Sequence, residues 1–230
     1  MVRDRVAIER LQQTTTAEGA LRAVRNAILD GTFPPGSQLR EVYIATELGI
    51  SRAPLREALN RLELEGMVVR IPFRGAFVAE VSPRMAAEIA ALRAVLEPYA
   101  VECALPYFAT GEGRAELTDA LETLSERTAA GDRPGSIEAH LALHGLLYRA
   151  SGNQALYDVW KSWELQLRLF LAVDHQAYQD LSDLTEWHRA LLAAIETGDI
   201  EQIRLELAGH IHSQLPELAS DSQKHGREAS

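Results

Sequence analysis

The sequence has little cysteine, few aromatic residues and no long apolar run, and each shortage excludes a class of protein. The single cysteine, Cys103, excludes an internal disulfide and suits a reducing cytoplasm, where we expect the protein to reside. No stretch reaches about 18 uninterrupted apolar residues, so we predict no membrane-spanning helix. Aromatic residues make up only 6% of the 230 residues, but hydrophobic residues make up 47%, which is enough to form a core.

Positive charge is also scarce, because the net charge of the chain is −10. The two parts of the chain differ, however. Residues 1–80 hold 11 arginines and 10 acidic residues, a net of +1, so residues 81–230 carry −11. Charges in salt solution are screened within about 8 Å, so the acidic part does not prevent a local basic face from binding phosphate. The balance argues against loose, nonspecific nucleic-acid binding and leaves a focused N-terminal site possible.

The N-terminal part alternates helical spacing with glycine and proline turns. Apolar residues recur at helical spacing over residues 16–30, 40–48 and 52–65, and two β-branched runs at 67–71 and 76–79 flank a glycine turn. The order helix, short helix, turn, helix, hairpin predicts a winged helix-turn-helix domain over residues 12–80.

The C-terminal part has no strand pattern after Ser82. Ser82 and Pro83 are typical of a helix start, and glycine-rich breaks divide the remainder. We predict an all-α antiparallel bundle over residues 83–216, with six helices at 83–105, 113–130, 135–150, 154–174, 179–196 and 199–214.

Two arginines on the third N-terminal helix are candidates for reading DNA. Arg52 and Arg56 are four residues apart, so their side chains project side by side. Arginine can bind guanine O6 and N7 with two hydrogen bonds, which is the commonest specific base contact. Ser51 is expected to cap the helix, at an end where phosphate can also dock. The alternative is an ordinary solvated basic face.

Residues 39–78 resemble the DNA-binding domain of the GntR family of bacterial regulators, most specifically in the motif GISRAPLREAL at residues 49–59. The resemblance implies that Arg52 and Arg56 contact DNA and that the hairpin tip assists. Members often carry a further DNA-contacting arginine where this chain has Val42, and Arg40 is the candidate to replace it. The predicted DNA-binding residues are Arg40, Ser51, Arg52, Pro54, Arg56, Arg74 and Gly75.

Four histidines of the C-terminal part have a spacing that permits a metal site. His140 and His144 are four apart on one helix, so both imidazoles can face one point. His188 precedes Gly198 by ten residues and His210 follows it by twelve. If the chain turns at Gly198 into an antiparallel helix pair, the two histidines lie at a similar distance from the turn along the helix axes. Helical bundles often hold metal between facing helices, although each histidine alone is more typical of a surface or core position.

Residues 84–215 resemble the all-helical FCD domain of the FadR subfamily of GntR regulators, through residues 88–100 and the segment HLALHGLLYRASGN at 140–153. The resemblance implies a divalent metal, Zn²⁺ or Ni²⁺, that helps to hold a small carboxylate effector. His140 stands where the family usually has aspartate, and four imidazoles favour Zn, Ni or Cu over Mn or Mg. Arg93 is implied to face the effector, and the alternative is a surface salt bridge with Glu97.

We therefore predict a homodimeric, ligand-responsive repressor or activator that binds a near-palindromic operator and is not an enzyme. A metal-responsive or acyl-CoA-responsive regulator is an alternative, although the acyl-CoA branch of the family lacks the metal histidines. A metal-dependent hydrolase would need a general base near the metal. Glu138 and Glu186 each precede a ligand by two residues, a spacing that points them away from it.

Overall fold

A computed structural model of the chain describes residues 13–177 and 181–213. The predicted domain ranges extend to residue 12 at one end and over residues 214–216 at the other, and these positions lie outside the described residues. None of the described helices has both the length and the apolar composition that a bilayer crossing requires.

The N-terminal part forms the predicted winged helix-turn-helix, with one strand more than expected. The strands are antiparallel in the order β1-β3-β2. The additional strand β1 has only two residues, too few to show an alternating pattern, which is why the sequence did not reveal it. The elements are α1 (Gln13–Leu29), β1 (Gln38–Leu39), α2 (Glu41–Glu47), α3 (Arg52–Leu64), β2 (Val68–Ile71) and β3 (Gly75–Val78).

The helix α3 is amphipathic in the register that its sequence predicts. Its four buried side chains recur at helical spacing and pack against α1 and α2, leaving the opposite face to solvent. The helix ends in a left-handed turn at Gly66, which has a φ of +75°. The buried residues are Leu55, Ala58, Leu59 and Leu62.

Over residues 83–177 and 181–213, the C-terminal part forms the predicted all-α bundle, with six helices. Ser82 accepts a hydrogen bond from the Met85 N–H at 3.1 Å, and Pro83 occupies the first helical position, as the sequence indicated. The helices are α4 (Pro83–Phe108), α5 (Gly111–Ala129), α6 (Arg133–Ala150), α7 (Gln154–Ala177), α8 (Ser182–Thr197) and α9 (Ile200–Ser213).

The helix α7 packs both within the bundle and against the N-terminal part. Its Trp160 and Trp163 belong to the same hydrophobic core as Leu55 and Leu59 of α3. Leu165 of α7 lies very close to Gly66. A Cβ atom added to the glycine would stand only 2.3 Å from the Cδ2 atom of Leu165. The end of α3 is therefore in direct contact with a helix of the bundle.

Candidate DNA interface and metal centre

The exposed start of α3 presents Arg52 and Arg56 side by side, and both are held by one carboxylate. Arg56 Nε donates to Glu41 Oε2 at 2.7 Å, and Arg52 Nη2 donates to the same oxygen at 3.2 Å. Each arginine side chain is more than half exposed, whereas that of Glu41 is 19% exposed. Both guanidinium groups therefore stand fixed at the surface with donor hydrogens still open to a ligand.

Sequence reasoning missed the role of Glu41. Burial tends to raise the pKa of this carboxyl, but hydrogen bonds and charges from Arg56 and Arg52 outweigh it and lower the pKa. Glu41 lies 11 and 15 residues from the two arginines, across the turn between α2 and α3. No helical spacing connects residues so far apart, so only the tertiary structure brings them together.

Ser51 occupies the predicted N-cap position of α3 but does not cap it with its side chain. Its backbone is extended, and its hydroxyl makes no capping hydrogen bond to the first turn. A capping hydroxyl bonds to the second or third backbone N–H of the helix, and the third residue here is Pro54, which has none. The expectation of a side-chain cap was therefore wrong, and the hydroxyl is exposed beside the arginines.

The wing places Arg74 and Gly75 at the exposed tip of the hairpin, where the sequence predicted them. The Arg74 guanidinium lies 5.4 Å from the centroid of the Phe77 ring, and Gln38 of β1 donates to the Arg74 carbonyl at 2.7 Å. Gly75 has a φ of +99°, which favours glycine. Arg40, the N-cap residue of α2, is also exposed, as is Val42 at the position of the missing arginine.

The four predicted histidines meet in the interior of the bundle. Nε2 of His144 lies 3.1 Å from Nε2 of His210 and 3.2 Å from Nε2 of His188. His140 completes the group, with its Nε2 at 3.2 Å from that of His210. One nitrogen of each lies within 4.8 Å of the others, and all four side chains are buried. The structure thus brings α6, α8 and α9 together at one point.

Backbone and carboxylate groups orient two of the rings. His188 Nδ1 lies 2.6 Å from the Leu184 carbonyl, which fixes the proton on Nδ1 and leaves the Nε2 lone pair facing the cluster. His144 Nδ1 lies 3.2 Å from Glu97 Oε2. Burial lowers the pKa of His144 and lowers that of His188 to about 3, so both rings are neutral and able to bind metal at neutral pH.

Arg93 makes the salt bridge with Glu97 that the sequence offered as one of two alternatives, but this salt bridge is buried rather than on the surface. Its Nε donates to Glu97 Oε1 at 2.7 Å, with both side chains at most 3% exposed. Its Nη2 also lies 3.3 Å and 3.4 Å from the two ring nitrogens of His144. Burial tends to raise the pKa of Glu97, but the charge of Arg93, followed by His144, lowers it to about 2. A buried ion pair therefore borders the cluster.

The donor set fits a divalent ion of the zinc type. An ion with metal–nitrogen bonds of about 2.0–2.1 Å separates neighbouring nitrogen ligands by roughly 3.0 Å in octahedral and roughly 3.3 Å in tetrahedral geometry. Three of the Nε2 separations in the cluster are 3.1–3.2 Å. Metal-binding histidines commonly donate their second nitrogen to a carbonyl or carboxylate, which is the arrangement of His188 and His144.

Stacked aromatic rings cover the α7 side of the cluster. The Trp160 ring stacks on His144 with a centroid separation of 6.2 Å and on Tyr148 at 5.2 Å. Tyr148 also meets Trp163 edge-on at 6.5 Å. These tryptophans are core residues, as their spacing on the helix indicated, and they shield the site from solvent.

Comparison with known proteins assigns both parts of the chain. A model of the gntR family of bacterial regulatory proteins matches residues 16–78, and a model of the FCD domain matches residues 88–213. The chain is 28% identical over 211 residues to a Paenarthrobacter nicotinovorans protein named as the probable D-xylose utilization operon transcriptional repressor, covering 92% of each chain. It is 30% identical over 180 residues to the Escherichia coli regulator McbR, covering 77% of this chain and 81% of McbR.

Solved structures of the same family share the fold. The structure of E. coli McbR has a TM-score of 0.64 at 26% identity, and that of a GntR regulator from Rhodococcus sp. RHA1 has a TM-score of 0.67 at 25% identity. Each comparison covers 90% of this chain and 98% of the other. The chain therefore belongs to the GntR family of DNA-binding transcription regulators, carries an FCD effector domain, and is not an enzyme.

Proposed function

We propose that this regulator, a member of the FadR subfamily, binds a divalent metal through His140, His144, His188 and His210 and senses a small organic acid beside it. The single observation that carries the proposal is the convergence of four buried imidazole nitrogens on one point, with Arg93 at its edge. An all-imidazole set favours Zn²⁺ or Ni²⁺ over harder ions. Such an ion would supply an electrophilic centre for a carboxylate oxygen.

The charge of the site favours an anion as effector. The two histidines with lowered pKa values are neutral, and the charges of Arg93 and Glu97 cancel. A divalent ion would therefore add two uncompensated positive charges to a fully buried site, an expensive arrangement without a counter-ion. A carboxylate placed beside Arg93 can accept two parallel hydrogen bonds from the guanidinium.

The DNA-binding part supports recognition through the major groove. In a winged helix-turn-helix protein the second helix of the motif, here α3, enters the groove with its N-terminal residues at the base edges. Arg52 and Arg56 stand at that end and are exposed. Glu41 holds them in place before DNA arrives, which reduces the freedom that they lose on binding.

An apolar stripe on α4 supports a homodimer, which a near-palindromic operator requires. Met85, Leu92 and Tyr99 follow one another at intervals of seven residues, and Val95 lies between the last two. This is the spacing of a helix–helix seam. All four side chains are between 45% and 70% exposed in the single chain, so a second copy would remove a contiguous apolar surface from water.

We further propose that the protein is a repressor, by analogy with the P. nicotinovorans relative, whose name describes an operon repressor. Binding of the acid would change the relative placement of the two DNA-reading parts. Coupling of this kind typically changes affinity by about 5–150-fold.

Elemental analysis and a mobility-shift assay test the proposal together. Purified protein is expected to carry close to one equivalent of Zn or Ni, which His144→Ala removes and a control change, His225→Ala, does not. The protein is expected to shift its own promoter region, and the double variant Arg52→Ala, Arg56→Ala is expected to lose the shift. Protein without bound metal contradicts the metal site, and an unchanged shift in the double variant contradicts the DNA assignment.

The same mobility-shift assay distinguishes the proposed acid sensor from a regulator that responds to the metal alone. If chelation alone changes operator binding and no organic acid does, the metal itself is the signal. If acids act only on the metal-loaded protein, the metal is part of the effector site.

A further inference from the structure

Two buried aromatic side chains near the histidine cluster carry polar atoms without partners. Tyr148 is fully buried and Trp163 is 5% exposed. Within residues 13–177 and 181–213, neither the Tyr148 hydroxyl nor the Trp163 indole nitrogen has a hydrogen-bond partner. Nearly all buried polar groups in folded proteins are paired, so two unmet groups close together indicate a molecule that pairs with them.

Tyr148 lies next to the proposed metal centre and near the charges of Glu97 and Arg93, and Trp163 adjoins Tyr148. Tyr148 follows His144 by one turn of α6, which is roughly 6 Å along the helix axis. Its ring is stacked on Trp160, which also stacks on His144, and it meets Trp163 edge-on. A ligand held at the histidine cluster beside Arg93 would therefore need to extend by only about one helical turn to reach Tyr148.

Both groups offer hydrogen-bond donors rather than acceptors. An indole N–H can only donate. Burial, together with the nearby charge of Glu97, raises the pKa of Tyr148, so its hydroxyl keeps the proton that it can donate. A molecule that pairs with both groups would have to offer oxygen acceptors, such as those of a carboxylate.

We propose that Tyr148 and Trp163 form a distal subsite for a second carboxylate, so that the effector is a short dicarboxylate. The inference rests on the proposed function, because the first carboxylate is the one held at the metal and Arg93. The charge of the site agrees with it: two positive charges remain uncompensated once a divalent ion is bound, and a dianion neutralises both.

The test compares one acid with its matched dicarboxylate on the full-length, Zn²⁺-loaded protein by isothermal titration calorimetry. Propionate and succinate are the probes. Wild-type protein is expected to bind succinate at least about tenfold more tightly than propionate, since a hydrogen bond to a charged group is worth about that factor. Tyr148→Phe keeps the ring and is expected to lose most of this preference while its propionate affinity stays unchanged.

Two further variants make the comparison specific. Trp163→Phe removes the indole donor, and the ratio of the two affinities cancels any general loss of packing. Tyr157→Phe is the matched control, because Tyr157 is a half-buried tyrosine on α7 and its hydroxyl is not among the buried atoms without a partner. The control is expected to keep the full preference for succinate.

The results separate this inference from the proposed function. If propionate binds and Arg93→Lys weakens it, but succinate binds no more tightly, the distal subsite is wrong and the metal–arginine site stands. A preference for succinate that survives Tyr148→Phe and Trp163→Phe also overturns the subsite, and indicates that buried water satisfies both groups. If neither acid binds the Zn²⁺-loaded protein, both proposals fail.

Discussion

The contact between Gly66 and Leu165 gives a sharp test of how the DNA-reading helix is attached to the bundle. Gly66→Ala introduces two costs. A left-handed backbone costs a non-glycine residue roughly 1–2 kcal/mol, and Gly66 has a φ of +75°. The added Cβ would also stand 2.3 Å from Leu165 Cδ2, so this terminal methyl of a half-buried side chain must move, at a cost of about 0.5–1.5 kcal/mol. We expect a total loss of roughly 1.5–3.5 kcal/mol in the free energy of unfolding.

A matched control is available at the end of α2. Gly49 has a φ of +64°, and no atom lies within 4 Å of its added Cβ, so Gly49→Ala carries the first cost alone. Urea denaturation of the two variants measures the difference, which is the cost of the overlap. Leu165→Ala in the Gly66→Ala background removes the overlap, and a double-mutant cycle should therefore show coupling of about 0.5–1.5 kcal/mol between the two positions.

Equal destabilisation by Gly66→Ala and Gly49→Ala, with no coupling to Leu165, would refute the reasoning. It would mean that the end of α3 does not rest on α7 in solution. A positive result has a functional meaning as well, since α7 also carries Trp160 against His144. One helix then contacts both the proposed effector site and the DNA-reading helix.

Three further predictions follow from the same structure. Arg56→Ala should weaken operator binding by about 1–3 kcal/mol in a mobility-shift titration; an unchanged affinity would mean that Arg56 does not read a base. Val95→Asp should convert the proposed homodimer to monomers in size-exclusion chromatography with light scattering, and a dimer that persists in this variant would place the interface elsewhere. Folded metal-free protein keeps His188 neutral down to a pKa of about 3, whereas the unfolded chain takes up the proton below its ordinary value of 6.5. Stability of the chelated protein should therefore fall between pH 6.5 and 3, by up to about 1.4 kcal/mol per pH unit, and a melting temperature independent of pH in that window would contradict this.

Local spacing accounts for most of what the sequence predicted correctly. Helical periodicity identified all six helices of the bundle, and spacings of four residues placed Arg52 beside Arg56 and His140 beside His144. The symmetric distances of His188 and His210 from Gly198 also anticipated that these two rings would meet, and their centroids are 4.4 Å apart.

The features that the sequence did not reveal depend on tertiary contacts. The spacing of Arg93 and Glu97 predicted their ion pair but not its burial, because periodicity cannot tell which neighbour covers that face of α4. Glu41 pairs with arginines across a turn, and β1 is recognisable only by its partner strand. The unmet hydrogen bonds of Tyr148 and Trp163 likewise exist only once the bundle has closed around them.

The stacking of Trp160 on His144 has an optical consequence. The chain has three tryptophans, and all of them adjoin the site: Trp160 on His144, Trp187 at 6.0 Å from the ring of His210, and Trp163 against Tyr148. The tryptophan fluorescence of the unlabelled protein therefore reports on this one region. Open-shell Ni²⁺ bound at the proposed site would quench this fluorescence strongly and closed-shell Zn²⁺ would not, so the emission would distinguish the two ions.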